Sequence, residues 1–289
     1  MLIGGCQKSE TTPVQTESTP TTSSTAAPQP ITISQNLQTP ESVLYDAQQD
    51  VYFISNINGQ PLAVDNNGYI SRVNPDTLQM DAKWIEGGKP GVTLNAPKGM
   101  AVAADILYVA DITTVRKFDR KTGAPKGEIK IPGSSFLNDL ASDGPSVYVS
   151  DSGLKAGAGG SFEPTGTDAV WKIVGNKAQK IASGPDLKRP NGVNVVNGKV
   201  WVVTFGADKK TNVATLPKGS LDGLVHLDDG SFVISSWDGK AIYRGPQSGP
   251  FTAVLENINA PADIGYDAKR QRLLVPHFMD SIVTIHPLP

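Results

Sequence analysis

Short apolar runs of strand length, separated by turn residues, recur along the chain from residue 31 onward. Six of them are rich in β-branched and aromatic residues and most end in a polar residue: 51–56, 107–111, 147–151, 200–204, 231–236 and 273–277. Pairs such as Asp143-Gly144 and Asn197-Gly198 stand between runs and supply the positive φ that tight hairpins need. No window has the 3.6-residue period of an amphipathic helix. The pattern predicts an all-β chain of antiparallel hairpins.

One six-residue phrase precedes each pair of runs. Its copies are residues 39–44, 96–101, 136–141, 189–194, 220–225 and 260–265. Successive copies are separated by 57, 40, 53, 31 and 40 residues, and their mean of about 44 is the period of a β-propeller blade. The last copy has room for only three strands, whereas residues 31–35 form a strand without a hairpin partner. We therefore predict a six-bladed β-propeller whose ring is closed by this N-terminal strand joining the last blade.

Composition agrees with one large all-β domain and excludes some partners. The 289 residues include 29 Gly and 22 Pro, and only 19% are charged. A net charge of −2 and a pI near 5.9 give no basic surface for nucleic acid. No stretch reaches the roughly 18 apolar residues of a membrane span. We expect a monomer.

The N-terminal residues suggest an anchor. Cys6 is the only cysteine and follows Leu2-Ile3-Gly4-Gly5, which resembles the end of a bacterial lipoprotein signal. Residues 7–30 are mostly Ser, Thr, Pro, Gln and Ala, which is typical of a disordered tether. We predict a signal remnant with a lipidated cysteine over 1–6, a tether over 7–30 and the propeller over 31–289. This predicts a periplasmic or extracellular protein that meets the membrane only through its lipid.

Oxygen-bearing side chains occupy equivalent positions in the copies. The third residues are Glu41, Lys98, Asn138, Asn191, Asp222 and Ala262. Because the start of one strand lies beside the end of its antiparallel partner, these residues share one face of the disc with the polar ends of the second strands. Carboxylates and amides in that number suit a hard divalent cation, with calcium favoured over zinc. Glu41, Asn138, Asn191 and Asp222 are the predicted ligands, and open coordination positions would accept water or substrate.

Other residues of this face have simpler explanations as well. Asn56, Asp111 and Asp151 suit backbone capping in turns. Lys98 cannot bind a cation, so we expect it to pair with a carboxylate or to hold an anionic group of a substrate. His277 is either a rim residue or a proton carrier. Lys98, His277 and Asp263 are the candidates for substrate binding.

These phrases resemble the six-bladed family that contains senescence marker protein, gluconolactonase and luciferin-regenerating enzyme, with paraoxonases more distant. The resemblance covers about residues 31–289 and rests on Glu41, Asn138-Asp139, Pro190-Asn191-Gly192 and Asp222-Gly223. It implies a metal-dependent lactone hydrolase in which Asp222 is both ligand and base. Our own hypothesis extends the substrate to a related ester and keeps Asp139 as an alternative base.

Two other functions fit the same pattern. The phrases also resemble the NHL repeat, and a non-enzymatic propeller with a structural metal would bind a protein or carbohydrate partner. A lyase-type or strictosidine-synthase-like activity is a weaker alternative, since propellers carry many unrelated functions.

Overall fold

The computed structural model describes residues 29–206, 214 and 216–288. Cys6 and most of the predicted tether lie outside the described residues, so the anchor stays a prediction. Among the described residues, no helix is long and apolar enough to cross a membrane.

The described secondary structure consists of short β-strands and two three-residue 3-10 helices, Ala158–Gly160 and Pro185–Leu187. The strands are β1 (Ile31–Ile33), β2 (Pro40–Asp46), β3 (Val51–Asn56), β4 (Tyr69–Val73), β5 (Met80–Glu86), β6 (Pro97–Ala103), β7 (Ile106–Asp111), β8 (Thr114–Asp119), β9 (Pro125–Lys130), β10 (Leu137–Asp143), β11 (Ser146–Asp151), β12 (Leu154–Ala156), β13 (Phe162–Pro164), β14 (Ala169–Val174), β15 (Lys177–Ser183), β16 (Pro190–Val196), β17 (Lys199–Thr204), β18 (Leu221–His226), β19 (Phe232–Ser236), β20 (Ala241–Gly245), β21 (Thr252–Glu256), β22 (Gly265–Asp267), β23 (Arg272–His277) and β24 (Ile282–Pro287).

Five four-stranded antiparallel sheets form the blades of a β-propeller. They are β2–β5, β6–β9, β10 with β11, β14 and β15, β18–β21, and β22–β24 with β1. We predicted six blades, and the described residues contain five. The fourth copy of the phrase forms only the two-stranded sheet β16–β17. A repeated phrase marks where a sheet begins and does not fix how many strands follow it.

The N-terminal strand pairs with the last strand of the chain. Ile31 lies opposite Ile285 and Ile33 opposite Val283 in an antiparallel ladder. This is the pairing predicted for residues 31–35, although the strand ends at Ile33. Apolar side chains of the first and last blades pack together beneath it, including Val43 and Leu274. Their contact buries apolar surface where the first and last strands of the described residues pair.

The innermost strands surround a central cavity of about 550 Å³. Residues of β2, β6, β10, β16, β18 and β22 line it. Each of these strands contacts the next in chain order, and β22 also contacts β2. Every copy of the phrase therefore lies at the same radius, next to the axis.

Five of the innermost strands carry an irregularity at the same place. The ladder register shifts between Pro40 and Ser42 in β2, and at the corresponding positions of β6, β10, β16 and β18. A bulge leaves one residue unpaired and turns its side chain away from the regular pleat. The third residue of each of these copies falls within the bulge, so the bulges explain how these side chains gather at the axis.

Candidate functional site

The third-position side chains form a buried layer at one end of the axis. Each is almost inaccessible to solvent: Glu41 5%, Lys98 1%, Asn138 6%, Asn191 3% and Asp222 4% exposed. Ala262, from the sixth copy, is fully buried and contributes no polar group. The four predicted ligands and Lys98 are therefore all buried, at equivalent positions of their strands.

Four oxygen atoms of this layer have no hydrogen-bond partner. They are Glu41 Oε2, Asn138 Oδ1, Asn191 Oδ1 and Asp222 Oδ1. Among the described residues only one other buried side-chain oxygen, Asn67 Oδ1, lacks a partner. A buried oxygen without a partner is costly, so such atoms seldom persist unless something binds them. Their concentration on the four predicted ligands is the strongest indication of a site.

The layer carries more negative than positive charge. Burial raises the pKa of Glu41 well above its ordinary value, and the nearby Asp222 and Asp263 raise it further, while Lys98 opposes the shift. Burial, followed by Asp263, also raises the pKa of Asp222, against hydrogen bonding from Trp237 and Asn191. Carboxyl groups this close cannot all ionise unless a positive charge compensates them. A cation would provide that compensation.

A second layer lies one residue further along each strand. Its members are Ser42, Gly99, Asp139, Gly192, Gly223 and Asp263. A Cβ at Gly99 would lie 2.3 Å from Asp139 Oδ1, and a Cβ at Gly192 would lie 2.2 Å from the backbone oxygen of Asp222. Glycine is required there because neighbouring inner strands approach each other so closely.

Asp139 and Asp263 meet across the axis in this second layer. Leu140 N donates to Asp139 Oδ1 over 2.6 Å and Val193 N to Asp139 Oδ2 over 2.7 Å. Asp263 accepts from Ser42 Oγ over 2.5 Å. Burial raises the pKa of Asp263 to about 6, and its hydrogen bonds with Ser42 and Asp139 oppose the shift. Burial raises the pKa of Asp139 as well, and the negative charge of Asp263 raises it further, so the two carboxyls disfavour each other's ionisation.

This arrangement bears on two of the predicted roles. Both carboxylate oxygens of Asp139 already accept backbone hydrogen bonds, so Asp139 is poorly placed as the base that activates water. The Asp263 carboxyl likewise bonds within the protein, below the ligand layer. Asp222 differs from both because one of its oxygens has no partner.

Lys98 is held by neutral groups. Its Nζ donates to Pro61 O over 2.9 Å and to Ala96 O over 3.1 Å, and it lies 4.5 Å from the ring centroid of Phe136. We expected a paired carboxylate or a substrate anion, and the described contacts show neither as a direct partner. Burial lowers the pKa of Lys98 to about 8, although Glu41 and Asp111 raise it.

His277 points into its own blade. Its Nε2 lies 2.8 Å from Thr284 Oγ1, and its Nδ1 lies 3.7 Å from Asp280 Oδ2. Burial lowers its pKa, against the charge of Asp280. These contacts suit the rim position considered for His277 better than a proton carrier at the axis.

The polar ends of the second strands hold loops in place. Asp111 Oδ1 accepts from Asn95 N and Ala96 N over 3.1 and 2.9 Å. Asp151 Oδ1 accepts from Phe136 N over 2.9 Å, and Asn56 Oδ1 from Gln38 N over 3.0 Å. The capping role anticipated for all three is what the structure shows.

Trp237 is a site residue that sequence reasoning missed. Its Nε1 donates to Asp222 Oδ2 over 2.8 Å, which fixes the orientation of that carboxylate. The rings of Phe205 and Phe278 lie on either side, each with its centroid 5.4 Å from that of Trp237. We call the part of the propeller that begins with one copy of the phrase a sector. All three aromatic residues directly follow the second strand of their sector, and this shared position could have identified them from the sequence.

The donor set fits a cation that accepts amide oxygens. No group of three or more His, Cys, Asp or Glu side chains arranged to hold a metal occurs in the part of the chain that the structure describes. A cation at the axis therefore depends on Asn138 and Asn191 as much as on Glu41 and Asp222. Oxygen-only sets of this kind match calcium rather than zinc.

A larger cavity of about 880 Å³ lies elsewhere, beside β16–β17. Its lining is mainly apolar, with Trp201, Phe232 and Phe251 among the contributors. No predicted site residue lines this cavity. Choosing the site by cavity volume alone would therefore miss the polar side chains at the axis.

Comparison with known proteins supports the architecture. No protein-family model matches the sequence, and no curated protein matches it. A gluconolactonase from Xanthomonas campestris has a similar structure, with a TM-score of 0.67, 17% identity and 90% of each chain covered. A luciferin-regenerating enzyme gives 0.59 and 11%, covering 89% of this chain and 95% of that one. Virginiamycin B lyase from Staphylococcus aureus gives 0.58 and 12%, covering 89% and 98%. At these identities the likeness shows a β-propeller fold.

Proposed function

We propose that this chain is a calcium-dependent hydrolase of a lactone or a related ester, with its site at the start of the innermost strands of the propeller. The observation that carries the proposal is the set of four partnerless oxygens on Glu41, Asn138, Asn191 and Asp222. The structural likeness to a gluconolactonase supports the reaction class.

The four side chains would hold the cation through two carboxylates and two amides. When bound, the cation would supply positive charge that polarises the carbonyl of the substrate. Lys98 lies close enough to lower the pKa of Glu41, and it offsets part of the negative charge of the layer. The cation therefore does not have to balance every carboxylate.

Asp222 is the residue best placed to move a proton. Its Oδ1 has no hydrogen-bond partner in the protein, whereas both oxygens of Asp139 already accept backbone N–H groups. A water molecule would lose a proton to Asp222 as its oxygen attacks the carbonyl carbon. The bond from that carbon to the ring oxygen then breaks, and the proton passes from Asp222 to the departing oxygen. Trp237 would keep Asp222 from rotating out of position.

Hydrolysis of a panel of lactones and esters, followed in a pH-stat with calcium and with a chelator, tests the proposal. Asp222→Asn should abolish calcium-dependent turnover while circular dichroism shows an intact fold. Asp105→Asn, an exposed carboxylate on a hairpin, is the matched control and should keep full activity. Absence of turnover on every lactone and ester under every divalent cation tried would refute the proposal.

A binding propeller without catalysis is the second candidate. The contacts of Lys98, Asp263 and His277 favour it, because all three predicted substrate contacts bond within the protein. On this alternative, calcium would stabilise the fold and no substrate would turn over.

A further inference from the structure

Three aromatic side chains stand in a row beside the ligand layer. Phe205, Trp237 and Phe278 follow β17, β19 and β23 in successive sectors, and each is partly exposed. The corresponding residues of the other three sectors are Ile57, Ile112 and Ser152, none of them aromatic. The row therefore occupies one half of the face only.

The row is attached directly to the site. Trp237, its middle member, donates to Asp222 Oδ2 over 2.8 Å. Phe205 meets Trp237 edge to face at an interplanar angle of 80°, and Phe278 is tilted at 52°. Aromatic neighbours at such distances stabilise one another and form a rigid surface. Any molecule whose reacting atom lies beside Asp222 has this surface next to its remaining atoms.

Two of the polar residues next to the row are engaged within the protein. Ser236, which precedes Trp237, donates to Gly219 O over 2.7 Å and accepts from Gly239 N over 3.0 Å. His277, which precedes Phe278, contacts Thr284. Beyond Phe278, the apolar side chain of Met279 is 63% exposed. Ser236 and His277 are therefore occupied, and the exposed groups nearest Phe278 include an apolar one.

We propose that Phe205, Trp237 and Phe278 form an aromatic wall that selects lactones or esters carrying an apolar aryl or alkyl substituent over polyhydroxylated ones. This inference rests on the proposed function for the reacting group and adds the class of substrate. The wall holds the part of the substrate that does not react.

Calorimetric titration of the calcium-loaded full chain with lactams tests the wall apart from turnover. Lactams keep the ring and the carbonyl, and they resist hydrolysis. A phenyl- or hexyl-substituted δ-lactam should bind at least about tenfold more tightly than the unsubstituted ring, as expected for an apolar group in a matching site. A hydroxylated δ-lactam should gain nothing.

Variants show which side chains cause the preference for an apolar substituent. Phe205→Ala and Phe278→Ala should each reduce it severalfold, whereas Phe162→Ala, an aromatic of the β12–β13 hairpin that contacts Phe136, should leave it unchanged. If either alanine variant unfolds, the corresponding leucine variant keeps apolar volume without a planar ring. It should lose the preference for the phenyl-substituted lactam and keep the preference for the hexyl-substituted one. Three results would overturn the proposed wall. They are equal affinity for substituted and unsubstituted lactams, no binding of any lactam, and a preference that survives both variants. Selective lactam binding without hydrolysis of any lactone would instead refute the proposed function and leave the wall standing.

Discussion

Calcium should stabilise the chelator-treated protein, and the partnerless oxygens set the scale of the effect. A buried polar atom without a partner costs about 1–3 kcal/mol. Protonation can relieve Glu41 and Asp222 when no cation is present, but it cannot relieve the amide oxygens of Asn138 and Asn191. Those two alone leave about 2–6 kcal/mol for a cation to recover.

Mass action limits how much of this a melting experiment detects. At a calcium concentration of 100 times Kd the gain is about 2.7 kcal/mol. For a domain of this size, that corresponds to a rise in Tm of roughly 5–11 °C. Differential scanning calorimetry with calcium and with a chelator measures it directly.

Variants assign the gain to the axis. Glu41→Gln and Asp222→Asn each remove one charge from the ligand layer and should reduce the calcium-induced rise in Tm by at least half. Asp105→Asn removes one exposed carboxylate and should retain the full rise. The reasoning is wrong if no divalent cation shifts Tm, or if the control loses as much as the two site variants.

Three further outcomes are expected. Because folding raises the pKa of buried carboxyls such as Glu41 above their unfolded values, the chelated protein binds more protons folded than unfolded. Its free energy of unfolding in urea should therefore fall as the pH rises from about 4 through 6, the pKa of Asp263, and calcium should reverse the trend. Arg270→Ala removes the ion-pair partner of the fully buried Asp267 carboxylate, which keeps its hydrogen bond from Tyr52, and should lower the free energy of unfolding by about 2 kcal/mol. Lys83→Ala at an exposed pair should change it by less than about 1 kcal/mol. If Cys6 carries a lipid, Cys6→Ser should move the protein from the membrane fraction to the soluble fraction, and an unchanged distribution would contradict the anchor.

The strands were predictable because hydrophobic pattern and turn chemistry agree along the chain. The predicted run 51–56 has the same bounds as β3. Asn197 and Gly198 have the positive φ values, 51° and 74°, that their hairpin requires. The predicted count of six blades was wrong because a repeated phrase marks where a sheet begins and carries no information on how many strands follow. The fourth copy begins a sheet that ends after β17.

The candidate ligands were chosen because they occupy the same position in each copy of the phrase. The groups that surround them could not be predicted in this way. Position in the phrase placed Glu41 and Asp222 in one layer. It gave no information on which oxygens would find partners, because those depend on bulges and on contacts from other blades. Trp237 follows β19, whereas Asp222 lies in β18, and Val193, whose N–H donates to Asp139, lies in β16 rather than β10. Contacts between distant segments of this kind leave no local trace in a sequence.

The positions of Asp139 and Asp263 have a consequence for how a molecule could move along the propeller axis. Both residues line the 550 Å³ cavity, whereas none of the four candidate ligands does. Along the inner strands the candidate ligands come one residue before this pair, and most of the rest of the cavity lining comes after it. A molecule in the cavity would therefore meet these two carboxyl groups before it reached the candidate ligands.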